Sequence, residues 1–348
     1  MPNINETLGG YSDLFMLLAA MVYAVAFICF AIDLAKSSQT IRELESNLVK
    51  EEQEELALVG ATRSTRGSSA SAGASALDST SDVLVGDSMD YTESTPKRRF
   101  ANIAIMLTIL AAAIHVFAVV SRGIAAARVP WGNMYEFLTT GASIVAVVYL
   151  VALRKKDLRF MGAFVIGLVT LMLCAATMGF PTPVAHLIPA LQSPWLVIHV
   201  SIAVLSSALF TISFAMSALQ LVQHYRQKNL IAGKADKLPF LRLVPSAAAL
   251  ENAAYRINTV SFVMWTFTVM AGAIWAEAAW GRYWGWDVKE VWSFVIWTVY
   301  AGYLHARATR GWTGVRSAWL SIIGYACLVF NFTVVNLYFN GLHSYAGV

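Results

Sequence analysis

Charge is scarce in this sequence. Lys, Arg, Asp and Glu make up only 13% of its 348 residues, where soluble globular chains carry about a quarter. Hydrophobic residues reach 57% and mean hydropathy is +0.59. A soluble domain of this length could not bury that much apolar surface, which excludes a soluble enzyme. Cysteine is nearly absent: Cys29, Cys174 and Cys327 all fall inside apolar stretches and none forms a CxxC pair. That excludes a thiol–disulfide carrier and leaves the three as small packing residues. No P-loop, GxGxxG or HExxH occurs, so nucleotide and zinc-protease chemistry have no foothold, and no nucleic acid is expected as a partner.

What the chain has instead is a series of apolar runs, each of about 20 residues, long enough to cross a bilayer as a helix. Eight stand out, at 11–32, 100–120, 134–153, 160–179, 195–222, 258–277, 290–307 and 317–340. The first opens on acidic Asp13 and no small-residue cleavage site follows, so it reads as a span and not as a signal peptide. The expected fold is all-α, a polytopic integral membrane protein. Lys and Arg resist translocation and orient it. The loops after spans 1, 3, 5 and 7 hold 21 of the 25 cations, whereas the opposite side has only Arg122, Arg128, Arg282 and Lys289. Both termini are therefore expected to be extracytoplasmic.

Three regions follow: residues 1–35 as the first span, 36–99 as a cytoplasmic loop, and 100–348 as a seven-helix core. Residues 36–59 read as a polar, acidic helix extending span 1. Residues 60–95, with 14 Ser or Thr among 36, read as a disordered tether.

The candidate chemistry lies in the external loop 278–292. Six of the eleven tryptophans fall within Trp275–Trp297, with Trp280, Trp284 and Trp286 spaced by glycines. An aromatic belt is the plain explanation, but belts are dispersed. A dense cluster with flexible backbone suits a planar, apolar ligand better. Asp287 and Glu290 fit a capping box opening span 7. Lys289 and Arg282 are rare external cations that could neutralise ligand carboxylates or face water. Ser193-Pro194 reads as an N-cap and N1 pair starting span 5, which puts Trp195 and His199 on one face a turn in. His343 follows the outer end of span 8. His199, His343 and the tryptophan loop thus share one external level, an arrangement suggesting axial ligation of a haem iron. His305 lies roughly 22 Å below the outer end of span 7 at 1.5 Å per residue, a depth at which an ionisable group is a functional candidate. Neither His115 nor His224 matches its depth, so a second ligand would come from another chain.

These blocks resemble the CcsA/ResC family of System II cytochrome c biogenesis. The loop Trp280–Trp292 looks like its WWD motif. Pro130–Phe137 is similar to its N-x-Y-E segment, Pro189–Val200 to the segment carrying its first external histidine, and Trp297–Arg307 and Asn336–Tyr345 to its transmembrane and second external histidine segments. The likeness spans residues 128–348. Val288 stands where the family usually has Pro, a change touching only helix initiation. The resemblance implies a cytochrome c haem-lyase subunit in the cytoplasmic membrane, working at its external face on haem b and apocytochrome c beside a ResB/CcsB-type membrane subunit. It implies His199 and His343 as axial ligands of haem held over Trp280, Trp284 and Trp286, with Asp287 and Trp292 completing the motif, and His305 as a haem ligand within the membrane. Cysteines of a CxxCH segment would add across the haem vinyl groups, so this chain would supply no nucleophile. The competing readings are a haem chaperone or exporter without lyase activity, and a haem-free solute transporter.

Overall fold

The computed structural model describes residues 4–64, 98–186 and 191–343, and these form helices and their connections without a strand. In chain order they are α1 (Glu6–Ser64), α2 (Arg99–Ala125), α3 (Met134–Leu153), α4 (Gly162–Cys174), α5 (Pro194–Ile231), α6 (Ala247–Trp280), α7 (Val288–Arg310), α8 (Val315–Phe332) and the short α9 (Val334–Tyr338). A 3-10 turn at Arg159–Met161 leads into α4 and a π turn at Ala175–Gly179 prolongs it. Of the tether expected at 60–95, everything beyond Ser64 lies outside the described residues.

Successive long helices run antiparallel. Asn5 N donates to Ala125 O, Arg122 pairs with Glu136, and His199 bonds Thr268 O, tying helix starts to helix ends at one end of the bundle. At the other end Arg98 pairs with Asp33, Gln223 Nε2 donates to Val244 O, and Arg307 pairs with Glu251. Among the described residues, seven helices are long and apolar enough to cross a membrane, and large apolar side chains such as Met106, Leu171, Val263 and Met270 are exposed on their outer faces, as a lipid-facing surface requires. The chain is thus a multi-pass membrane protein. α7, read from sequence as the seventh of eight spans, falls short of the apolar composition of the others. It carries Lys289, Glu290, His305, Arg307 and Arg310, and it lies in the same antiparallel series.

Local chemistry explains the helix ends. Asn133 caps α3 by accepting from Glu136 N at 2.8 Å. Ser193 caps α5 by accepting from Trp195 N, with Pro194 at the first helical position. α1 and α2 pack through small residues, with Ala104, Ala111 and Ala118 buried against Ala19 and Ala26, a spacing that lets helices approach closely in lipid. Several charges inside the bundle are paired. Asp33 takes the Arg98 guanidinium and also the Ala101 amide at 3.1 Å, so it serves the open N-terminus of α2 as well.

Candidate ligand-binding site

One end of the bundle holds a mostly apolar cavity that opens outward, the kind of concave surface small-molecule sites use. Its walls are helix faces with 3.6-residue periodicity. α5 contributes Leu196, His199, Val200 and Ala203, and α6 contributes Trp265, Thr268, Val269, Gly272, Trp275 and Ala276. Trp280 ends α6, Tyr283 and Trp284 come from the α6–α7 connection, Lys289, Glu290 and Ser293 from the first turns of α7, and His343 from the segment after α9. Trp131–Met134 and Phe137 form a further wall with Asn331, Phe332 and Asn336 of α8 and α9, Phe137 stacking on Phe332 at 4.3 Å between ring centres.

Both histidines are held through the same ring nitrogen. His199 Nδ1 lies 2.9 Å from Thr268 O, and His343 Nδ1 lies 2.8 Å from Asp287 Oδ2. A carbonyl and an ionised carboxylate can only accept, so each Nδ1 carries the proton and each Nε2 keeps its lone pair. The partner atom thereby sets the tautomer that suits a metal ligand, as outer-shell partners of ligating histidines do. The His199 ring also stacks parallel to Trp275, 6.0 Å centre to centre, while His343 meets Trp275 and Trp280 edge-on at 5.7 and 5.0 Å.

Asp287 does two jobs. It opens α7 in a capping box, with Glu290 Oε2 accepting from Asp287 N at 3.0 Å and from Gly285 N at 2.8 Å. It also accepts from Leu342 N at 3.0 Å and from His343. The His343 hydrogen bond holds its carboxyl at about 2, far below the usual carboxylate range. Burial pushes His343 downward although the Asp287 charge pulls it up. The two influences oppose each other, and the direction that stands is an ionised Asp287 facing a neutral imidazole. At neutral pH the His343 lone pair is therefore free of a proton.

Two glycines make room for this arrangement. A Cβ at Gly272 would sit 2.7 Å from His199 Cε1 and 2.9 Å from its Nδ1, and one at Gly341 would overlap Asp287 Oδ1. Gly272→Ala is accordingly expected to swing the His199 ring off Thr268 O, while the helix itself gains from losing a glycine, by roughly 1 kcal/mol. The check is ligand titration beside a melting curve. Reduced ligand affinity at undiminished stability is the expected result, and unchanged affinity would show that the close approach has no consequence.

The structure brings together His199, His343, Trp280 and Trp284 in one cavity wall. It does not bring Trp286 there. Trp286 adopts a left-handed backbone, φ 59°, and is 74% exposed, meeting Trp284 edge-on at 5.9 Å. Trp292 packs on Phe330 at 4.3 Å instead of lining the cavity, and Trp195 faces outward from α5. His305 lies on the exposed face of α7, about 26 Å along the helix from Val288 at 1.5 Å per residue. Of the two external cations left open by the sequence, Lys289 lines the cavity, whereas Arg282 lies flat against Gly285 where a side chain would otherwise stand. Sequence reasoning missed Thr268 and Gly272, for which no local signal exists, and gave no role to Asn336, although it opens the Asn336–Tyr345 block. Trp131 was within reach, as part of the Pro130–Phe137 block.

Tyr135 and Glu136 stand behind the wall. Glu136 is fully buried and accepts from Arg122 Nε at 3.0 Å, from Arg128 at 2.6 and 3.0 Å, and from Gly132 N at 2.8 Å. Arg122, 1% exposed, also reaches Asp13 and Thr182 O and lies 4.4 Å over the Tyr135 ring. This cluster ties α1, α2, α3 and the segment after α4 to the backbone of the Trp131–Asn133 wall.

Fold and site together define a polytopic α-helical membrane protein with an aromatic, two-histidine ligand cavity at one end of its bundle. Its residues 131–343 match the profile of the cytochrome c assembly protein family. The chain belongs to that family. It is 35% identical over 254 residues to a cytochrome c biogenesis protein CcsA of Guillardia theta, covering 68% of this chain and 83% of that protein. It is 34% identical over 246 residues to the CcsA of Heterosigma akashiwo strain NIES-293 / 8280G21-1, covering 62% and 76%. The CcsA of Synechococcus elongatus is 33% identical over 264 residues, covering 65% and 81%. The family match begins at Trp131 and so includes every cavity residue named above, while α1 and α2 lie before it.

Proposed function

We propose that this protein binds haem b in the cavity and presents it at the extracytoplasmic face for covalent attachment to the CxxCH segment of an apocytochrome c. The observation that carries the reading is the pair of Nδ1-anchored imidazoles, His199 and His343, lining one apolar aromatic cavity. No group of three or more His, Cys, Asp or Glu suited to a bare metal ion occurs among the described residues. Two imidazoles suffice where a macrocycle supplies the remaining ligands. Trp280 and Trp284 offer faces and edges to a flat ring, while Trp286, exposed beside them, is placed to meet whatever enters from outside. The family membership and the cytochrome c biogenesis relatives point the same way. The cation asymmetry of the loops supports an extracytoplasmic position for the cavity and a cytoplasmic-membrane setting for the chain.

The chemistry asked of this chain is modest. Each thioether forms by adding a cysteine S–H across a vinyl group: sulfur bonds one carbon, hydrogen the other, and no electrons leave the pair. Cys29, Cys174 and Cys327 lie in α1, α4 and α8, away from the cavity, so the thiols belong to the apocytochrome. The cavity residues bind and orient, and exclude water, and the gain is proximity. His305, exposed on α7 and without a ligand partner at its depth among the described residues, is assigned to haem shared with a ResB-type subunit.

Co-expression with an apocytochrome carrying CxxCH, scored by haem stain on a denaturing gel, tests the proposal. Stain that requires this chain together with a ResB-type partner is the expected result. A Soret band without covalent stain would make the protein a haem carrier, and absence of a Soret band under ample haem supply would remove haem from the reading altogether.

A further inference from the structure

The cavity holds a cation whose counter-charge is missing. Lys289 lines the wall, partly buried, and among the described residues it forms no ion pair. Its ammonium donates to Asn336 Oδ1 and lies 5.3 Å over the Phe332 ring. Both carboxylates nearby are turned elsewhere. Asp287 faces Leu342 N and His343, and Glu290 Oε2 faces the amides of Gly285 and Asp287. A charge drawn into an apolar wall without a partner is costly, and it persists where a ligand brings the opposite charge.

A second polar group belongs to a residue of the same cavity. Trp131 lines the cavity, and its buried Nε1–H has no acceptor among the described residues, where a buried indole N–H ordinarily has one. Asn336 links the two: it accepts from Lys289 and donates from Nδ2 to Met134 Sδ at 2.6 Å, three residues beyond Trp131. A cation and an N–H donor without an acceptor among the described residues are thus joined through Asn336 and the start of α3.

We infer that Lys289, with the Trp131 indole N–H, forms a carboxylate subsite that takes a propionate of the bound porphyrin and so sets how the ring is turned within the cavity. This deepens the proposed function and rests on it. Lys289 is a positioning and specificity residue here. It contributes no proton or electron to thioether formation.

The test uses the full-length protein purified with its partner subunit and compares binding of haem with that of haem dimethyl ester, in which both carboxylates are blocked. Hydrogen bonds to charged groups are worth enough to predict a roughly 10- to 100-fold preference of the wild type for the free acid. Lys289→Met should abolish that preference by weakening haem alone, leaving ester affinity and the Soret position unchanged. Lys289→Arg, which keeps the charge, should retain most of it. A Lys289→Met protein that still prefers the free acid as the wild type does overturns the subsite, as does one that loses both ligands, since Lys289 would then be holding the cavity together. If the wild type binds neither compound, the haem reading itself falls. The two failures are therefore separable.

Discussion

Replacing His343 with glycine is expected to eliminate haem bound at the cavity and, with it, cytochrome c maturation. Imidazole added to the medium is expected to restore both. The His343 Nε2 lone pair is freed by the Asp287 contact at 2.8 Å, and removing the ring leaves a space bounded by Trp275, Trp280 and Asp287 that a free imidazole fills in the same tautomer. Backbone cost is small, because the segment beside it already contains Gly341. The same substitution at His199 should behave alike in ligand loss, with weaker rescue. His199 sits a turn inside α5, where glycine costs roughly 1 kcal/mol of helix stability. Soret absorbance and haem stain read the two effects separately. If either variant matured cytochrome c as the wild type does, that histidine would not be a ligand.

The largest effect on stability is expected at Glu136. Glu136→Ala strips the fully buried carboxylate from Arg122, 1% exposed, and from Arg128. Breaking a buried pair from one side typically costs 3–5 kcal/mol, because the remaining charge is left without compensation. Here two guanidinium groups and the Gly132 amide lose their acceptor together. Asp13, bonded to Arg122 at 3.1 Å, is 55% exposed and relieves only part of the loss. Thermal unfolding in detergent should show a large fall for Glu136→Ala and a much smaller one for Asp13→Asn. Equal melting curves for Glu136→Ala and wild type would mean the cluster is not what anchors the Trp131–Asn133 wall.

Much of this organisation can be read along the chain, because it is local. Ser193-Pro194 opens α5 and Asp287 with Glu290 opens α7, each through residues within a turn of one another. Counting turns from those starts puts His199, His343 and the tryptophan loop at one level, and the cavity gathers them there. What is not legible joins residues far apart. Gly272 gives way to a ring 73 positions earlier, and Glu136 is meaningful only once Arg122 and Arg128 fold back upon it. Trp286 shows a different limit. Spacing places it with Trp280 and Trp284, but a left-handed residue in the connection turns its ring outward, and no side-chain pattern announces that turn. α7 illustrates a third. Its apolar run is diluted by the very residues that line the cavity and meet Glu251, so a functional helix looks like the least convincing span.

The two imidazoles rest on unequal footings. His199 rides on a 38-residue helix, its ring boxed by Gly272, Trp275 and the Thr268 carbonyl. His343 rides on a turn beyond a five-residue helix, tethered by the carboxylate of Asp287 and the Leu342 amide. One side of the cavity is therefore an anvil and the other a latch. Freeing His343 from its footing means breaking contacts to one carboxylate, whereas freeing His199 means moving a long helix.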